Sequence, residues 1–236
     1  MIKEFRVGEL FGKSLSILFA NFFPFMTITL IVQLPAILID LSADPSQQFR
    51  SSDLWSTLLS LIMTPIATGA VTFGVFQELR GRHASFGSCM SVGFSRMLPV
   101  LGVAICVGLV TTLGFIFLIV PGLILTCMLW VAIPVAVVER VGVGGSLGRS
   151  QELTAGHRWP ILGLLLLRFL VQFAAGVMIG FIVVMMPNAE MMITVGAQVV
   201  GVFVGAWHAS VAAVSYYYLR SIKEMIDVDE IASVFD

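Results

Sequence analysis

Charge is what this sequence has least of. Only 11% of its 236 residues are charged and 58% are hydrophobic, whereas a soluble domain carries about 25% charged residues on its solvated surface. This composition excludes a water-soluble globule. The chain also has no basic excess, because 13 Lys and Arg residues are balanced by 14 Asp and Glu residues. Nothing therefore predicts a nucleic-acid partner.

Patterns for metal binding and catalysis are lacking too. Cys89, Cys106 and Cys127 lie in or beside apolar segments at no metal-ligand spacing, which predicts buried, unreactive thiols. The three histidines are far apart in the sequence, so no cluster indicates a metal centre or an acid–base site. We therefore expect no metal, no cofactor and no enzymatic activity.

Long apolar stretches are abundant instead. A membrane-spanning helix needs about 20 mostly apolar residues, and region 98–138, which is twice as long, has no charged residue. Pro121 and Gly122 offer a break within it, because proline suits a first helical turn and glycine a tight reversal. The sequence predicts six spans, at 22–41, 54–76, 98–119, 121–138, 160–186 and 191–219.

The basic residues are distributed asymmetrically around these spans. If six helices alternate in direction, 11 of the 13 basic residues lie on the side of the membrane that holds both termini. Positively charged loops remain in the cytoplasm. The sequence therefore predicts a multi-pass protein of the bacterial inner membrane with both termini in the cytoplasm.

A repeated pattern precedes the odd-numbered spans. LFGKS, SFGSC and SLGRS each place a glycine twelve residues before Pro24, Pro99 and Pro160, and Glu78 and Glu139 each lie 21 residues before the second and third of these prolines. We interpret this pattern as three tandem copies of an amphipathic surface helix followed by a helical hairpin. The predicted fold is all-α, a single integral membrane domain over 1–236, with copies at about 1–77, 78–138 and 139–223 and a cytoplasmic tail at 224–236.

The glycine-rich segment GVGGSLGRS at 142–150 invites a nucleotide-binding interpretation. A dinucleotide fingerprint would need glycine where Leu147 stands, and a phosphate-binding loop would need glycine at Val143 and lysine at Arg149. The segment also occupies the same slot as two segments that lack its glycine pattern. We therefore interpret the glycines as residues that let a loop turn at the membrane surface.

Several segments resemble a known family. Val-Glu-Arg at 138–140, Ser-Leu-Gly-Arg-Ser at 146–150 and Gly-His-Arg-Trp-Pro at 156–160 look like the bacterial membrane domain of glycerophosphoryl diester phosphodiesterases and its stand-alone, YciC-like inner-membrane relatives. The opening FRVGELFGKSLSILFANFFPFM is similar to how such proteins begin. The resemblance implies a six-span inner-membrane module in a lipid context. The soluble domain that holds the metal-binding acids and histidines of the two-part enzymes is expected to be absent, so no catalytic residue carries over.

Polar residues inside the predicted spans are candidates for function, because ionisable groups are costly in the bilayer. Arg168 lies eight residues after Pro160, about 12 Å along that helix, and approaches the membrane midplane. It is predicted either to contact Gln172 or a lipid phosphate, or to extend its side chain to the cytoplasmic surface. His208 is predicted either to hydrogen-bond between helices or to relay protons, and Gln198 to hydrogen-bond between helices.

A charged cluster is predicted at the cytoplasmic surface. Glu139, Arg149 and Arg158 are candidates either for contacts with anionic lipid headgroups or for structural anchors. Small residues four positions apart permit close helix approach, which predicts packing between spans five and six or an oligomer contact. These residues are Gly176, Gly180, Gly201 and Gly205.

Three classes of function compete. The sequence favours a non-enzymatic inner-membrane protein that organises lipids or accompanies a complex. Its expected partners are anionic lipids and, if it accompanies a complex, other inner-membrane proteins. The alternative is a small-solute or lipid transporter or channel, whose copies surround a pseudo-threefold axis and a central cavity near Arg168 and His208. A lipid-modifying enzyme would need a metal or an acid–base site. The oligomeric state stays open.

Overall fold

The computed structural model describes residues 7–42, 51–185 and 190–224. The regular elements in these residues are all helices, which confirms the prediction of an all-α polytopic membrane protein. Six helical segments are long and apolar enough to cross a membrane. Most of their ends lie within a few residues of the ends of the predicted spans. They are Phe22–Ser42, Leu54–Leu79, Met97–Phe117, Ile119–Val138, Arg158–Ile182 and Met192–Glu224.

Short helices alternate with long ones along the described part of the chain. The order of one short and two long helices occurs three times, with the last long helix of the middle group divided in two. Three tandem copies would produce this order, and the equivalence of the copies stays a prediction. The helices are α1 (Val7–Ala20), α2 (Phe22–Ser42), α3 (Ser51–Leu79), α4 (Phe86–Ser95), α5 (Met97–Phe117), α6 (Ile119–Met128), α7 (Ala132–Val138), α8 (Gly142–Thr154), α9 (Arg158–Met185) and α10 (Glu190–Glu224).

The even-numbered spans form the centre of the molecule. α3, α7 and α10 contact one another, and the spans that contain them are 61%, 50% and 56% buried over their most apolar stretch. The odd-numbered spans α2, α5 and α9 are only 33%, 17% and 11% buried. In a membrane, the outer surfaces of these odd-numbered spans are therefore the ones that contact lipid chains.

The three short helices pack on the spans in a cyclic order. α1 packs mainly on α9 and α10, α4 on α3 and α2, and α8 on α7 and α5. Each short helix therefore packs mainly on a hairpin that belongs to another predicted copy. A ring of three related units would give this order of contacts.

The first short helix illustrates why these segments lie against the bundle. Leu10, Ser14, Ile17 and Leu18 are buried, and they recur at the three- and four-residue spacing of one helical face. Lys13 and its neighbours on the other face are exposed. The helix thus covers the spans with its apolar face and leaves its polar face outside.

The fourth span is interrupted at residues 129–131, between α6 and α7. Pro134 has no N–H to bond the carbonyl four residues earlier, so a regular helix cannot continue through this point without losing a hydrogen bond. The Met128 carbonyl accepts hydrogen bonds from Ser150 Oγ at 2.8 Å and Thr154 Oγ1 at 3.2 Å, both on α8. Side chains of the third short helix therefore satisfy the backbone at the interruption, as apolar surroundings require.

The glycine-rich segment differs from its prediction. It was expected to be a turning loop, but only its beginning turns: Arg140 and Gly142 have φ angles of 56° and 73°, the left-handed region that suits glycine. From Gly142 onward the chain is helix α8. Ser146 and Ser150 are buried in α8, and the Ser150 hydroxyl bonds the Met128 carbonyl at the end of α6, so burial of small polar side chains outweighs the low helix propensity of the glycines.

Candidate functional site

A small cavity lies where α1, the interruption of the fourth span, α9 and α10 meet. Its polar lining side chains are Trp130, Arg168, Trp207 and His208. Its volume open to the centre of a water molecule is about 10 Å³, which is the room needed for about one water. The apolar lining consists of Phe11, Leu164, Leu167 and Val211.

Two of the tryptophans that line this cavity have a buried indole N–H without a hydrogen-bond partner in the described residues. Trp130 and Trp207 are 9% and 4% exposed, and no hydrogen bond is formed by the Nε1 atom of either side chain within the described residues. An indole nitrogen can only donate. A buried donor that is left unsatisfied costs about 1–3 kcal/mol, so this pair requires an explanation.

Ring packing holds both indoles in place. Trp130 lies in the interruption and meets the His208 ring edge to face, with centroids 5.3 Å apart and planes at 67°. Trp207 meets Phe11 of α1 in the same manner, at 5.6 Å and 82°. Edge-to-face pairs of this kind are favourable, so these contacts fix the cavity wall between three elements, namely α1, the interruption of span four and α10.

The structure brings together two of the four polar residues predicted for the membrane interior. Arg168 is half-buried and lines the cavity together with His208. Gln172 lies one turn further along α9 but is exposed on its outer surface, and the part of the chain that the structure describes contains no hydrogen bond between it and Arg168. The predicted Arg168–Gln172 pair is therefore wrong. His208 contacts the Trp130 ring and lies at the same cavity as Arg168, and its two alternatives, an interhelical hydrogen bond or a proton relay, stay predictions.

Gln198 forms the interhelical hydrogen bond that was predicted for it. Its Nε2 donates to Asp40 Oδ2 at 2.8 Å, joining α10 to α2. This contact lies away from the Arg168 cavity, in a separate groove between α2 and α10. Gln198 therefore ties two spans together at the end of the molecule opposite to the short helices.

The predicted close packing of spans five and six at glycines is wrong. A side-chain carbon added to Gly176, Gly180 or Gly201 would meet no atom within 4 Å, and one added to Gly205 would meet Thr29 of α2. The reason is that α9 and α10 diverge here and leave a groove of about 180 Å³ between them. A contact of these glycines with another chain, the second alternative, stays a prediction.

Glu139 and Arg149 lie in an ionic network at the end of the spans. Arg149 Nε donates to Glu139 Oε2 at 3.0 Å, and Arg149 also pairs with Glu152 at 3.1 Å and with Glu224. The Tyr216 hydroxyl donates to Glu139 Oε1 at 2.8 Å. The side chain of Glu139 is only 11% exposed. Glu139 and Arg149 are thus engaged by protein partners rather than held out as lipid contacts.

Arg220 closes this network from α10. Its NH1 atom donates to the Tyr216 hydroxyl at 2.9 Å and its Nε to Glu224 at 2.8 Å. Sequence reasoning missed this role, although the i, i+4 spacing of Tyr216, Arg220 and Glu224 on one helix face was visible. Arg158 is exposed at the start of α9 and stays a predicted lipid contact.

Carboxylates dominate the electrostatics of Arg149. Burial by itself lowers the pKa of its guanidinium, but hydrogen bonds and charge from Glu152 and Glu139 outweigh burial and raise this pKa above its ordinary value. Arg149 therefore stays cationic at every physiological pH. The network links the consecutive helices α7 and α8 to the end of α10, which is distant from them in sequence.

No three His, Cys, Asp or Glu side chains come together as metal ligands in the described ranges. Comparisons of the chain with protein-family models, with curated proteins and with solved structures found no match. Two features of the described residues bear on function: the ionic network at the span ends and the small cavity between the spans.

Proposed function

We propose that this chain is a non-enzymatic protein of the bacterial inner membrane with a lipid-associated role, in which it organises lipids or accompanies a membrane complex. The observation that carries the proposal is the packed centre. The even-numbered spans contact one another, and the cavity beside them has room for about one water. A folded unit of this kind suits a scaffold in the bilayer better than a wide pathway.

The outer surface of the bundle supports the lipid-associated role. α9 is 11% buried over its most apolar stretch, and Phe169, Phe173 and Phe181 are exposed along it. Large apolar side chains on a membrane-spanning helix are suited to contact acyl chains. The family resemblance of the sequence also favours a lipid context.

Charge supports the proposed orientation. Arg158 and Lys223 lie at the same end of the bundle as the Glu139–Arg149 network and the short helices. An excess of Lys and Arg is typical of cytoplasmic loops, where it attracts anionic lipid. We accordingly propose that this end and both termini are in the cytoplasm.

A membrane pulldown with lipid analysis tests the lipid-associated role. The chain is extracted in a mild detergent, and the lipids and proteins that copurify are identified by mass spectrometry. We expect anionic lipids to be enriched over their share of the membrane, and an Arg158→Gln variant to reduce the enrichment. The matched control is Gln172→Ala, which removes an exposed polar group without changing charge. Equal lipid profiles for the chain and for bulk membrane would refute the proposal.

One observation favours a transporter as the second candidate. The fourth span is interrupted beside the cavity of Arg168 and His208, and discontinuous spans often line substrate sites in transporters. Proteoliposomes loaded with a mixture of labelled solutes would test this function. Saturable flux that an Arg168→Ala variant abolishes would favour the transporter, and flux equal to that of protein-free liposomes would exclude it for the solutes in the mixture.

A further inference from the structure

We propose that the groove between α2 and α10 binds one phospholipid whose headgroup carries a primary ammonium, such as phosphatidylethanolamine. One acyl chain lies in the groove, and the ammonium pairs with the Asp40 carboxylate at the end of the groove. The inference rests on the lipid-associated role proposed above and deepens it, because it names the class of lipid that this surface selects.

The groove is apolar and accessible from the outside of the bundle. Its volume is about 270 Å³, close to the lower limit of about 300 Å³ for small-molecule sites. Ile37 and Val202 are 8% and 5% exposed and form its floor, whereas Leu30 and Val199 are 45% and 58% exposed and form its rim. Because lipid surrounds these spans in a membrane, an acyl chain can enter the groove from the side.

The length of the groove suits an acyl chain that runs along the spans. Its lining residues on α2 extend from Met26 to Leu41, which is about 22 Å along the helix axis at about 1.5 Å per residue. Half of the hydrocarbon core of a bilayer is about 15 Å thick. The groove is therefore long enough to hold a chain that starts at the depth of the headgroups.

A carboxylate lies at the end of the groove that is opposite to the short helices. Asp40 directly precedes the lining residue Leu41, and its Oδ2 atom accepts a hydrogen bond of 2.8 Å from Nε2 of the lining residue Gln198. Asp40 is also close to the last residue of α2, Ser42, which places it at the depth of the headgroups. The Gln198 amide therefore holds the carboxylate beside the groove.

The helices around this carboxylate carry no positive charge. The parts of α2, α3 and α10 at this end, residues 32–42, 51–66 and 190–205, contain no Lys or Arg, and Gln198 contributes a neutral amide. Ionisable groups of membrane proteins usually pair with an opposite charge. An ammonium supplied by a lipid would give Asp40 the positive partner that these helices lack.

The need for an N–H donor distinguishes one headgroup from the others. An ionised carboxylate only accepts hydrogen bonds, and a primary ammonium offers three N–H donors. Charge-assisted hydrogen bonds of this kind are stronger than neutral ones. The trimethylated ammonium of phosphatidylcholine carries the charge without a donor, and the negative charge of phosphatidylglycerol is repelled by Asp40. The expected order of binding is therefore phosphatidylethanolamine, phosphatidylcholine and then phosphatidylglycerol.

Photocrosslinking of the purified full chain tests the site. The chain is placed in phosphatidylcholine nanodiscs that contain a small share of one probe lipid with a diazirine in its acyl chain. The probe has an ethanolamine, a choline or a glycerol headgroup, and mass spectrometry measures its crosslinks to the groove residues of α2 and α10. We expect about fivefold more groove crosslinks from the ethanolamine probe than from the choline probe. This factor corresponds to about 1 kcal/mol, the upper range for a partly exposed ion pair.

Variants link the headgroup preference to the carboxylate. Asp40→Asn keeps the size of the side chain and removes its charge, so it should lower the groove crosslinks of the ethanolamine probe to the level of the choline probe. Gln198→Leu removes the hydrogen bond that holds the carboxylate and should weaken the preference in part. The matched control is Glu152→Gln, which removes a 70% exposed carboxylate of the Glu139–Arg149 network and should leave the preference unchanged.

The outcomes decide the proposal. A preference for the ethanolamine probe that Asp40→Asn abolishes supports it. Equal groove crosslinks from the ethanolamine and choline probes, a preference for the glycerol probe, or a preference that Asp40→Asn retains overturns it. If Asp40→Asn does not fold by size-exclusion chromatography, Gln198→Leu decides, and an unchanged preference in it overturns the proposal. The enrichment of anionic lipids through Arg158 is measured separately, so failure at this groove would leave the lipid-associated role untouched.

Discussion

At the end of α10 that packs on α1 and α8, residues 206–219 are nearly all buried, whereas toward its other end Met192, Val195 and Val199 are exposed. The first region, which we call the network end, holds the Glu139–Arg149 ion pairs and the hydroxyl groups that bond the Met128 carbonyl. The second, the open end, has diverging helices and the Gln198–Asp40 hydrogen bond. Hydrogen bonds and ion pairs between separate elements therefore concentrate at the network end.

The difference shows how a membrane protein can fix its shape without uniform packing. At the network end, close packing and paired charges determine the positions of α8 and α10. At the open end, apolar side chains contact lipid as readily as another helix, because lipid chains and leucine are equally apolar. Substitutions at the network end should consequently cost more free energy of unfolding than those at the open end.

The largest effect is expected from Glu139→Ala at the network end. The change leaves Arg149, Arg220 and the Tyr216 hydroxyl without their shared acceptor. Removing one partner of a fully buried ion pair lowers the free energy of unfolding by about 3–5 kcal/mol. Because this network is partly exposed, we expect a loss of about 2–3 kcal/mol. The measurement is the free energy of unfolding, from a titration with SDS in mixed detergent micelles.

Glu152→Ala is the matched control for this change. Glu152 also pairs with Arg149, but its side chain is 70% exposed, so we expect a loss below about 1 kcal/mol. Equal losses of stability in the two variants would contradict the view that burial determines how much these ion pairs stabilise the fold.

The second prediction concerns the interruption of span four. Ser150→Ala combined with Thr154→Ala removes both hydroxyl donors to the Met128 carbonyl, and a buried acceptor without a partner costs about 1–3 kcal/mol. The free energy of unfolding in the same mixed micelles measures this cost. Ser146→Ala is the control, because the Ser146 hydroxyl bonds a carbonyl of its own helix. Removing this hydroxyl should leave the free energy of unfolding nearly unchanged. A double variant as stable as Ser146→Ala would break the account of how the interruption is satisfied.

A smaller effect is expected at the open end from Gln198→Leu, which removes the hydrogen bond to Asp40. Hydrogen bonds between membrane helices contribute about 0.6 kcal/mol on average, and we expect a loss of this size. Gln172→Leu serves as its control, since Gln172 is exposed on α9 and should lose nothing. A loss from Gln198→Leu that matched Glu139→Ala would remove the contrast between the two ends.

The smallest effect is expected from Gly176→Ala and Gly201→Ala. Both positions have open space around them, and alanine favours helix over glycine by about 1 kcal/mol. Stability in mixed micelles should stay the same or rise. A marked loss would show that these glycines contact another helix or another chain.

The six spans could be predicted from sequence because their physical cause is local. The thickness of the bilayer sets the length of an apolar stretch, and Pro121 lies three residues after the observed reversal at Leu118. The amphipathic face of α1 was predictable for the same reason, since helical periodicity is read from neighbouring residues.

The cavity beside Arg168 and the ionic network depend on residues distant in sequence and were predicted only in part. Arg168 could be selected from sequence as a charged residue within a span. Its position at the same cavity as Trp130 depends on the interruption of span four and on the placement of α9. Glu139 and Tyr216 are 77 positions apart in sequence, so no local spacing joins them. The glycine pairs gave a wrong prediction because small residues four apart fit a lipid-facing surface as well as a helix contact.

Accessibility of two introduced cysteines tests the central claim, that six spans place the network end in the cytoplasm. Leu118→Cys and Gly148→Cys are made in a chain whose three native cysteines are replaced by alanine, and whole cells are treated with a membrane-impermeant maleimide. Both positions are exposed, Leu118 at the reversal between α5 and α6 and Gly148 on α8. The account predicts labelling at position 118 in intact cells and at position 148 only after permeabilisation. Labelling of position 148 in intact cells would contradict it.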